Sequence, residues 1–344
     1  MIQIEIPQNP GLLEDQPDKR DYQYSDLMAM GAVPTEPFDW EKGYDTEKVN
    51  GFKLKRESQG SSSSCVGQTF SSYGELLNYL ETKQDSDFSA RGFYSQIYLP
   101  QGGAYVREGA KLATDKGFHL EKDVKSYPTV ELSDGRIHVN PPTEEFMRNS
   151  DDITEELKNK AKTYKSKRYF YLTYNNIDEA ALAIQNHGAI TIGARGTNQG
   201  WQTSDVRPPQ GEEKEWGHLT LGKAAMIRNG KKTIKFHNSW GENWGDDGDG
   251  YINEDYFKAG KVFSPLVLID QANLINNDEI MKLIKTDSSP GIYLVSNDGK
   301  KKILLIDMPT LESLKQPAVT TITDAEMAEY EDGGTLVWAD RQID

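Results

Sequence analysis

The chain contains a single cysteine, Cys65, and its sequence context decides whether that thiol is reactive. A thiol attacks a carbonyl as the thiolate, so its pKa of about 8.5 must be lowered by a helix N-terminus, an imidazolium or both. Apolar residues recur at helical spacing after Cys65, which predicts a helix over residues 65–83 with the cysteine at its N-terminal end. On composition alone, a lone cysteine is more often a small buried hydrophobe than a nucleophile.

The segment before the cysteine, Gln59-Gly60 followed by four serines, has little side-chain bulk and would let a substrate backbone approach closely. The Gln59 amide could donate a hydrogen bond to an oxyanion beside the backbone N–H of Cys65. Serine runs are also common in flexible linkers. This segment by itself therefore leaves a reactive thiol and a linker followed by a buried cysteine both open.

A cysteine nucleophile needs a histidine base and a group that orients the base. The chain has five histidines, which are His119, His138, His187, His218 and His237. His218 opens an apolar strand at a loop-to-strand junction, a position suited to catalysis, whereas the first three lie in polar or loop-like contexts. Successive strand residues point to opposite faces, so His237 and Asn238 cannot serve one site. We expect Asn238 to face inward and His237 to lie at the surface.

Three blocks resemble the signature motifs of papain-family cysteine peptidases. Residues 59–65 resemble Gln-Gly-x-Cys-Gly-Ser-Cys, and residues 217–219 resemble Gly/Asp-His-Ala. Residues 238–245, Asn-Ser-Trp-Gly-Glu-Asn-Trp-Gly, with Gly-Tyr-Ile at 250–252, resemble the family's Asn-Ser-Trp-Gly signature. The order Gln, Cys, His, Asn is also the family's, and the resemblance extends over about residues 38–262.

The resemblance implies a catalytic role for each of these residues. Cys65 would attack the scissile carbonyl, and His218 would take and return the proton. Asn238 would hold the imidazole while Trp240 shields that hydrogen bond from water. Gln59 and the Cys65 N–H would form the oxyanion hole. The implied reaction is hydrolysis of peptide bonds in an extended polypeptide, with no cofactor and no metal.

The resemblance also implies substrate contacts and shows departures. Gly102 and Gly103 would offer backbone hydrogen bonds to the substrate, and Trp216 is expected to line a specificity pocket. Ser62 replaces a cysteine that forms a disulfide in many family members, which fits a reducing environment or a bacterial or viral branch. Residues 246–249 crowd three carboxylates, but their spacing does not fit an EF-hand loop and favours a solvated acidic turn.

Patterning along the chain predicts an α+β protein. Helical patterns dominate before about residue 120 and strand patterns after about residue 168, which indicates a helical lobe packed against a β lobe. The resemblance implies that this is a two-lobed papain-like fold, with a β-barrel-like second lobe and a cleft between the lobes. We expect an extended, surface-lying N-terminal arm over residues 1–37, a peptidase domain over 38–262 and a small α+β module over 263–344. That module resembles small domains appended to bacterial surface and phage proteins, which suggests attachment to an assembly partner.

Charge and hydropathy exclude several classes of function. The net charge of −15 argues against binding to nucleic acid or an anionic membrane surface. The apolar runs are too short for a membrane span. The polar, acidic N-terminus does not read as a secretory signal, so we expect a cytoplasmic or virion-associated protein.

Two alternatives to the peptidase remain. The first is a structural or adhesive protein that keeps the fold for assembly in a virion or at a cell surface. The second is an amidase or acyltransferase that uses the same residues on a non-protein amide or with an amine acceptor. The complete set Gln59, Cys65, His218 and Asn238 favours chemistry over a scaffold.

Overall fold

The computed structural model describes residues 10–16, 18, 21–29, 33–269, 283–288, 291–295, 301–305 and 319–336. The chain divides into two compact units. The first contains residues 1–16 and 37–270, and the second contains residues 17–36 and 271–344. The candidate catalytic residues all belong to the first unit.

Most of the helices lie in the first half of the chain. In chain order they are α1 (Tyr24–Ala29), α2 (Thr46–Asn50), α3 (Cys65–Thr82), α4 (Ala90–Tyr94), α5 (Val106–Asp115), α6 (Glu144–Arg148), α7 (Glu155–Ala161), α8 (Ile177–His187), α9 (Glu254–Lys258) and α10 (Asp324–Ala328). The predicted helix over residues 65–83 is therefore present as α3, with Cys65 as its first residue.

The strands form a large sheet in the first unit and a smaller one in the second. In chain order they are β1 (Leu12–Leu13), β2 (Tyr44–Asp45), β3 (Ala104–Tyr105), β4 (Thr129–Glu131), β5 (Ile137–Val139), β6 (Arg168–Tyr171), β7 (Ile190–Gly196), β8 (Trp216–Arg228), β9 (Lys231–His237), β10 (Asp249–Asn253), β11 (Val262–Ile269), β12 (Leu283–Lys285), β13 (Ile292–Val295), β14 (Lys301–Leu305), β15 (Val319–Thr321) and β16 (Glu331–Leu336).

Helix α3 is the centre of the helical lobe, and its residues from Cys65 to Leu77 are all buried. Aromatic rings pack around it, with Phe70 stacked on Phe93 at 5.2 Å between ring centroids. Helix α4 approaches so closely that a Cβ on Gly67 would lie 2.8 Å from the Ala90 carbonyl oxygen. This burial fixes the helix, and therefore the position of Cys65, within the lobe.

The β lobe is a seven-stranded sheet in the order β10-β9-β8-β7-β11-β6, with β2 paired to β8. Neighbouring strands are antiparallel. The helical lobe contacts this sheet where Thr69 on α3 donates a hydrogen bond to the Leu219 carbonyl on β8 at 3.0 Å. Residues 218 and 219 of the central strand therefore face the start of the helix that carries the cysteine.

The N-terminal segment differs from the expectation. We predicted an arm laid on the surface, and this is wrong for residues 10–16. Strand β1 pairs in parallel with β3, and the Leu12 side chain is 5% exposed within the hydrophobic core of the helical and β lobes. The two-residue strand carries no periodic pattern, so its burial could not be predicted from its sequence.

The second unit contains a five-stranded sheet in the order β15-β12-β13-β14-β16. The predicted hairpin strands near residues 291–297 and 301–306 are present as antiparallel β13 and β14. The helix predicted to begin at Asp324 is α10, which Thr323 and Glu326 open with a capping box. The predicted Asp298-Gly299 turn and the predicted helix over 308–314 lie outside the described residues.

Two expectations about charged residues are wrong because distant segments meet at one point. Asp249 does not lie in a solvated turn: it is fully buried and pairs with Lys223 at 3.0 Å and with Arg56 at 3.1 Å. His237 is not a surface histidine, since it is 5% exposed and lies 3.0 Å from an Arg56 nitrogen. The strand alternation placed His237 opposite Asn238 correctly, but the face behind the strand is covered.

Replacing Asp249 with asparagine is expected to reduce the free energy of unfolding by about 3–5 kcal/mol, because it removes a buried negative charge that pairs with Arg56, Lys223 and Lys235 and leaves Lys223 with Glu47. Burial alone would raise the pKa of Asp249, but the hydrogen bond with His237 and the Lys223 charge lower it overall. The stabilisation is therefore present above the unfolded pKa of about 3.9 and is lost as the pH falls further.

Urea titration at neutral and acidic pH measures both effects. Asp247→Asn is the matched control: that side chain is 54% exposed, and we expect at most about 1 kcal/mol.

In the part of the chain that the structure describes, no helix is both long enough and apolar enough to cross a membrane.

Candidate active site

His218 lies on β8 and Asn238 directly follows β9, and a hydrogen bond joins the two side chains. The Nε2 atom of His218 is 2.7 Å from Oδ1 of Asn238, and both side chains are buried. Oδ1 is an acceptor and also accepts the Ser239 backbone N–H at 2.9 Å, so Nε2 must carry the imidazole proton. Nδ1 is thereby left as the basic atom, and no hydrogen-bond partner for it is found among the described residues.

Cys65 lies in the helical lobe, across from His218 and Asn238 in the β lobe. As the first residue of α3 it lies at the positive end of the helix dipole, which favours a thiolate. The backbone of Leu219, next to His218, hydrogen-bonds the Cys65 thiol. The structure therefore places cysteine, histidine and asparagine on three elements that converge at the boundary of the two lobes.

A cluster of tryptophan rings packs around the imidazole. Trp240 stacks on His218 with 4.7 Å between ring centroids and an interplanar angle of 25°. Trp201 contacts the imidazole edge-on at 5.6 Å and is fully buried. Trp201 was not identified from the sequence, because it lies in a loop outside the recognised motifs. These rings pack against the imidazole, and the shielding of the His218–Asn238 hydrogen bond by Trp240 stays a prediction.

Trp216 belongs to the same cluster. Its ring lies 5.8 Å from Trp240 and 6.3 Å from His218, and its Nε1 donates to Asn198 Oδ1 at 2.8 Å. The side chain is 7% exposed in this conformation. Its predicted part in a specificity pocket stays a prediction.

Gln59 is fully buried and is held by its own backbone and by Ser239. Its N–H donates to the Ser239 carbonyl, and the Ser239 hydroxyl donates to Gln59 Oε1, both at 2.8 Å. The side-chain amide is thereby turned so that Nε2 donates to the Ser62 carbonyl at 2.7 Å and to the Pro10 carbonyl at 3.0 Å. These hydrogen bonds fix the position of Gln59 Nε2, the predicted oxyanion donor, which already donates to the main-chain carbonyl of Pro10.

The chain's own N-terminal segment, residues 10–16, supplies that carbonyl and crosses the site. Gly11 adopts φ +106°, and its carbonyl accepts the Ala104 N–H at 2.9 Å. A Cβ on Gly11 would lie 1.9 Å from the Ser63 carbonyl oxygen, and a Cβ on Gly217 would lie 2.3 Å from the Leu12 carbonyl oxygen. The segment is therefore in close backbone contact with both lobes, next to Cys65 on one side and His218 on the other.

Charged side chains hold the far end of the same segment. Asp15 accepts the Arg107 backbone N–H at 3.2 Å and the Tyr171 hydroxyl at 3.1 Å. Glu14 pairs with Arg195 at 2.5 Å. These contacts place residues 10–16 between helix α5 and the β sheet.

The predicted substrate-binding glycines lie beside this segment. A Cβ on Gly103 would lie 2.2 Å from the Gly11 carbonyl oxygen, and the Gly103 N–H donates to the Tyr94 hydroxyl at 2.9 Å. Gly102 faces the Ser63 hydroxyl. Glu144, which the sequence did not indicate, links these parts: it accepts the Tyr94 hydroxyl at 2.8 Å and the Ser63 N–H at 2.6 Å.

The catalytic pair is uncharged in this conformation. Burial raises the pKa of the Cys65 thiol to about 12, against the backbone hydrogen bonds that lower it. Burial also lowers the pKa of His218 to about 4, although the hydrogen bond to Asn238 acts in the opposite direction. In these states the thiolate that attacks a carbonyl is not formed.

Comparison with known proteins agrees with this geometry. Residues 102–260 match the family model described as papain family cysteine protease, a range that contains His218 and Asn238 but begins after Cys65. A search of curated protein sequences gave no significant match.

Solved structures share the fold. Xylellain, a cysteine protease from Xylella fastidiosa, superposes with a TM-score of 0.60 at 18% identity, over 79% of this chain and all of that one. Digestive procathepsin L2 from Tenebrio molitor gives 0.54 at 17% identity, over 76% and 78% of the two chains. Bromelain from Ananas comosus, in complex with the E64 inhibitor, gives 0.51 at 15% identity, over 67% and 99%.

The fold is therefore α+β and papain-like, as predicted, and the protein is a cysteine hydrolase by class. Residues 102–260 are similar to the papain family of cysteine proteases.

Proposed function

We propose that this protein is a thiol endopeptidase whose own residues 10–16 keep it latent. Cys65 is the nucleophile, His218 the general base through Nδ1, and Asn238 the group that fixes the imidazole tautomer. Gln59 Nε2 and the Cys65 N–H stabilise the oxyanion. His218 then returns its proton to the leaving amine, and water resolves the acyl-enzyme by the same route.

The observation that carries this proposal is the Pro10 carbonyl on Gln59 Nε2 at 3.0 Å. A scissile carbonyl would need the same donor at the moment when charge develops on its oxygen. The occupant is a main-chain carbonyl two residues before strand β1, which pairs with β3 in a parallel ladder. A site that binds one polypeptide segment in this manner is suited to polypeptide substrates.

The function is tested with full-length Gly11→Val protein, in which the segment is displaced, on denatured casein and on purified peptidoglycan. We expect cleavage of casein into peptides and no release of soluble cell-wall fragments. Release of cell-wall fragments with intact casein would replace the proposal with the amidase alternative. No turnover of either, together with a thiol that stays unreactive toward epoxides, would favour the structural alternative.

Replacing Gln59 with alanine in the same background is expected to lower kcat by about 10²–10³-fold, with a small change in KM, since the donor acts on the transition state. Steady-state hydrolysis of a fluorogenic peptide measures both constants. Gln68→Ala is the matched control: Gln68 is also buried, on α3, and its side-chain amide makes no hydrogen bond to the described residues. Equal losses of kcat in the two variants would contradict an oxyanion role for Gln59.

A further inference from the structure

Three carboxylates converge in the helical lobe, away from the residues assigned to catalysis. Glu57 lies two residues before Gln59, Glu75 lies on α3, and Asp87 lies in the loop between α3 and α4. One oxygen from each can be chosen so that all three lie within 4.8 Å of one another. Three separate chain segments therefore present oxygens to a single point.

Glu57 and Glu75 are buried, Asp87 is half-buried, and two oxygens of the cluster have no hydrogen-bond partner among the described residues. Glu57 is 7% exposed and Glu75 is 3% exposed. Among the described residues, Oε2 of Glu57 and Oδ1 of Asp87 are buried without a hydrogen-bond partner. Glu75 accepts the Phe88 backbone N–H at 2.9 Å through Oε1. A buried carboxylate oxygen without a partner is costly, so these two atoms indicate a missing positive ligand.

Carboxylates outnumber the cations that pair with them around the cluster. Lys55 pairs with Asp87 through Oδ2, at a largely exposed position. Glu121 adds a fourth carboxylate that acts on Glu57. Burial, reinforced by the charges of Asp87 and Glu121, raises the pKa of Glu57 to about 8. Burial and the Glu57 charge raise the pKa of Glu75 as well. The carboxylates can all ionise together when a cation lies among them.

We propose that Glu57, Glu75 and Asp87 bind a calcium ion that links the oxyanion segment to helix α3. Carboxylate oxygens are the ligands of hard cations, and Ca²⁺ binds six to eight of them at about 2.3–2.6 Å. Three oxygens within 4.8 Å of one another, from separate segments, fit the flexible geometry of Ca²⁺ better than the near-ideal octahedron with bonds of about 2.1 Å that Mg²⁺ requires. Asp87 is 38% exposed and leaves room for waters to complete the shell.

The position of the site determines what the ion would do. Glu57 and Gln59 share one short segment, whose backbone is tied to residue 241 by the hydrogen bond from the Gly241 N–H to the Glu57 carbonyl at 2.8 Å. Glu75 lies on the helix that begins with Cys65. A bound ion would therefore fix the oxyanion donor relative to the nucleophile and stabilise the lobe that carries both.

The test uses the full chain after treatment with a chelator, and it does not depend on peptidase activity. Thermal unfolding is followed with and without added Ca²⁺, and terbium luminescence sensitised by the protein's aromatic residues reports direct binding. At a Ca²⁺ concentration about 100 times the dissociation constant, we expect the melting temperature to rise by about 5 °C or more. Added Ca²⁺ should quench the terbium signal by competition.

Glu57→Gln is expected to abolish both the Ca²⁺-dependent shift and the terbium signal. Without the ion, this variant should melt near the wild-type temperature, because the raised pKa leaves Glu57 largely protonated at neutral pH and an amide of the same shape replaces it. Glu156→Gln, an exposed change on α7, is the matched control and should respond as the wild type does. Asp87→Asn, at the more exposed ligand, gives the same test if Glu57→Gln does not fold. No Ca²⁺-dependent shift in the wild type, or an undiminished shift in both ligand variants, would overturn the proposal.

Discussion

Gly11→Val protein is expected to react with an epoxide inhibitor at Cys65 at least about ten times faster than the wild type does. Gly11 adopts φ +106°, and a Cβ there would lie 1.9 Å from the Ser63 carbonyl oxygen. A β-branched residue cannot take that backbone conformation against a fixed carbonyl without displacing the segment. The reaction rate follows the fraction of molecules in which the cleft is open, and the substitution raises that fraction.

The rate is measured as adduct formation against time by intact mass. Gly135→Val is the matched control, since Gly135 also has positive φ, at +80°, but has open space around its Cα. Protein that lacks residues 1–16 should react as fast as Gly11→Val or faster. Unchanged rates in both altered forms would show that residues 10–16 do not restrict access to the thiol.

The pH profile of the same reaction separates displacement from a general loosening of the fold. In the covered state the pKa of Cys65 is raised to about 12, so wild-type labelling should keep increasing through the alkaline range. Opening the cleft hydrates the thiol and lets the helix N-terminus and the imidazolium stabilise the thiolate. The Gly11→Val profile should therefore level off at much lower pH.

Replacing Cys65 with alanine in the Gly11→Val background is expected to reduce peptide hydrolysis by more than about 10⁴-fold and to abolish the adduct. The loss follows from the absence of the nucleophile, because Cys65 is the single cysteine of the chain. A sensitive fluorogenic assay with an intact-mass check measures both results.

Ser64→Ala serves as the control for packing, because it removes one heteroatom from the neighbouring buried position and leaves the nucleophile in place. It should retain activity within about tenfold, because a single buried hydroxyl is worth roughly 1 kcal/mol of hydrogen bonding. Hydrolysis that survives in Cys65→Ala protein would assign the activity to another group or to a contaminant.

Local sequence predicted the parts of the site that depend on local structure. Helix α3 follows from apolar periodicity after Cys65. Strand β8, which carries His218, and strand β9, which ends just before Asn238, follow from β-type runs. The inward orientation of Asn238 follows from strand alternation, and the hydrogen bond at 2.7 Å is the geometry that its predicted role requires. The family resemblance placed these residues in one cleft, which periodicity alone could not do.

The rest could not be predicted, because it depends on contacts between distant segments. Residues 10–16 bind chiefly through their backbone, and backbone pairing leaves no side-chain pattern in a two-residue strand. From the local sequence, Asp249 is expected to be a surface residue. The fold brings Arg56 and Lys223 next to it, and both are distant in sequence. The Glu57, Glu75 and Asp87 cluster has no spacing motif, since each residue comes from a different segment.

Residues 10–16 belong to the same polypeptide chain as the site that they cover. This linkage determines how strong their contacts with the site must be. A tethered ligand acts at an effective concentration in the millimolar range when the connecting chain spans the gap well. A segment with only micromolar intrinsic affinity would then cover almost every molecule. A single cut between residues 16 and 37 would end that advantage, because the released peptide would be diluted to the concentration of the protein. Latency that rests on attachment in this way is stable in the intact chain and is lost after one cleavage.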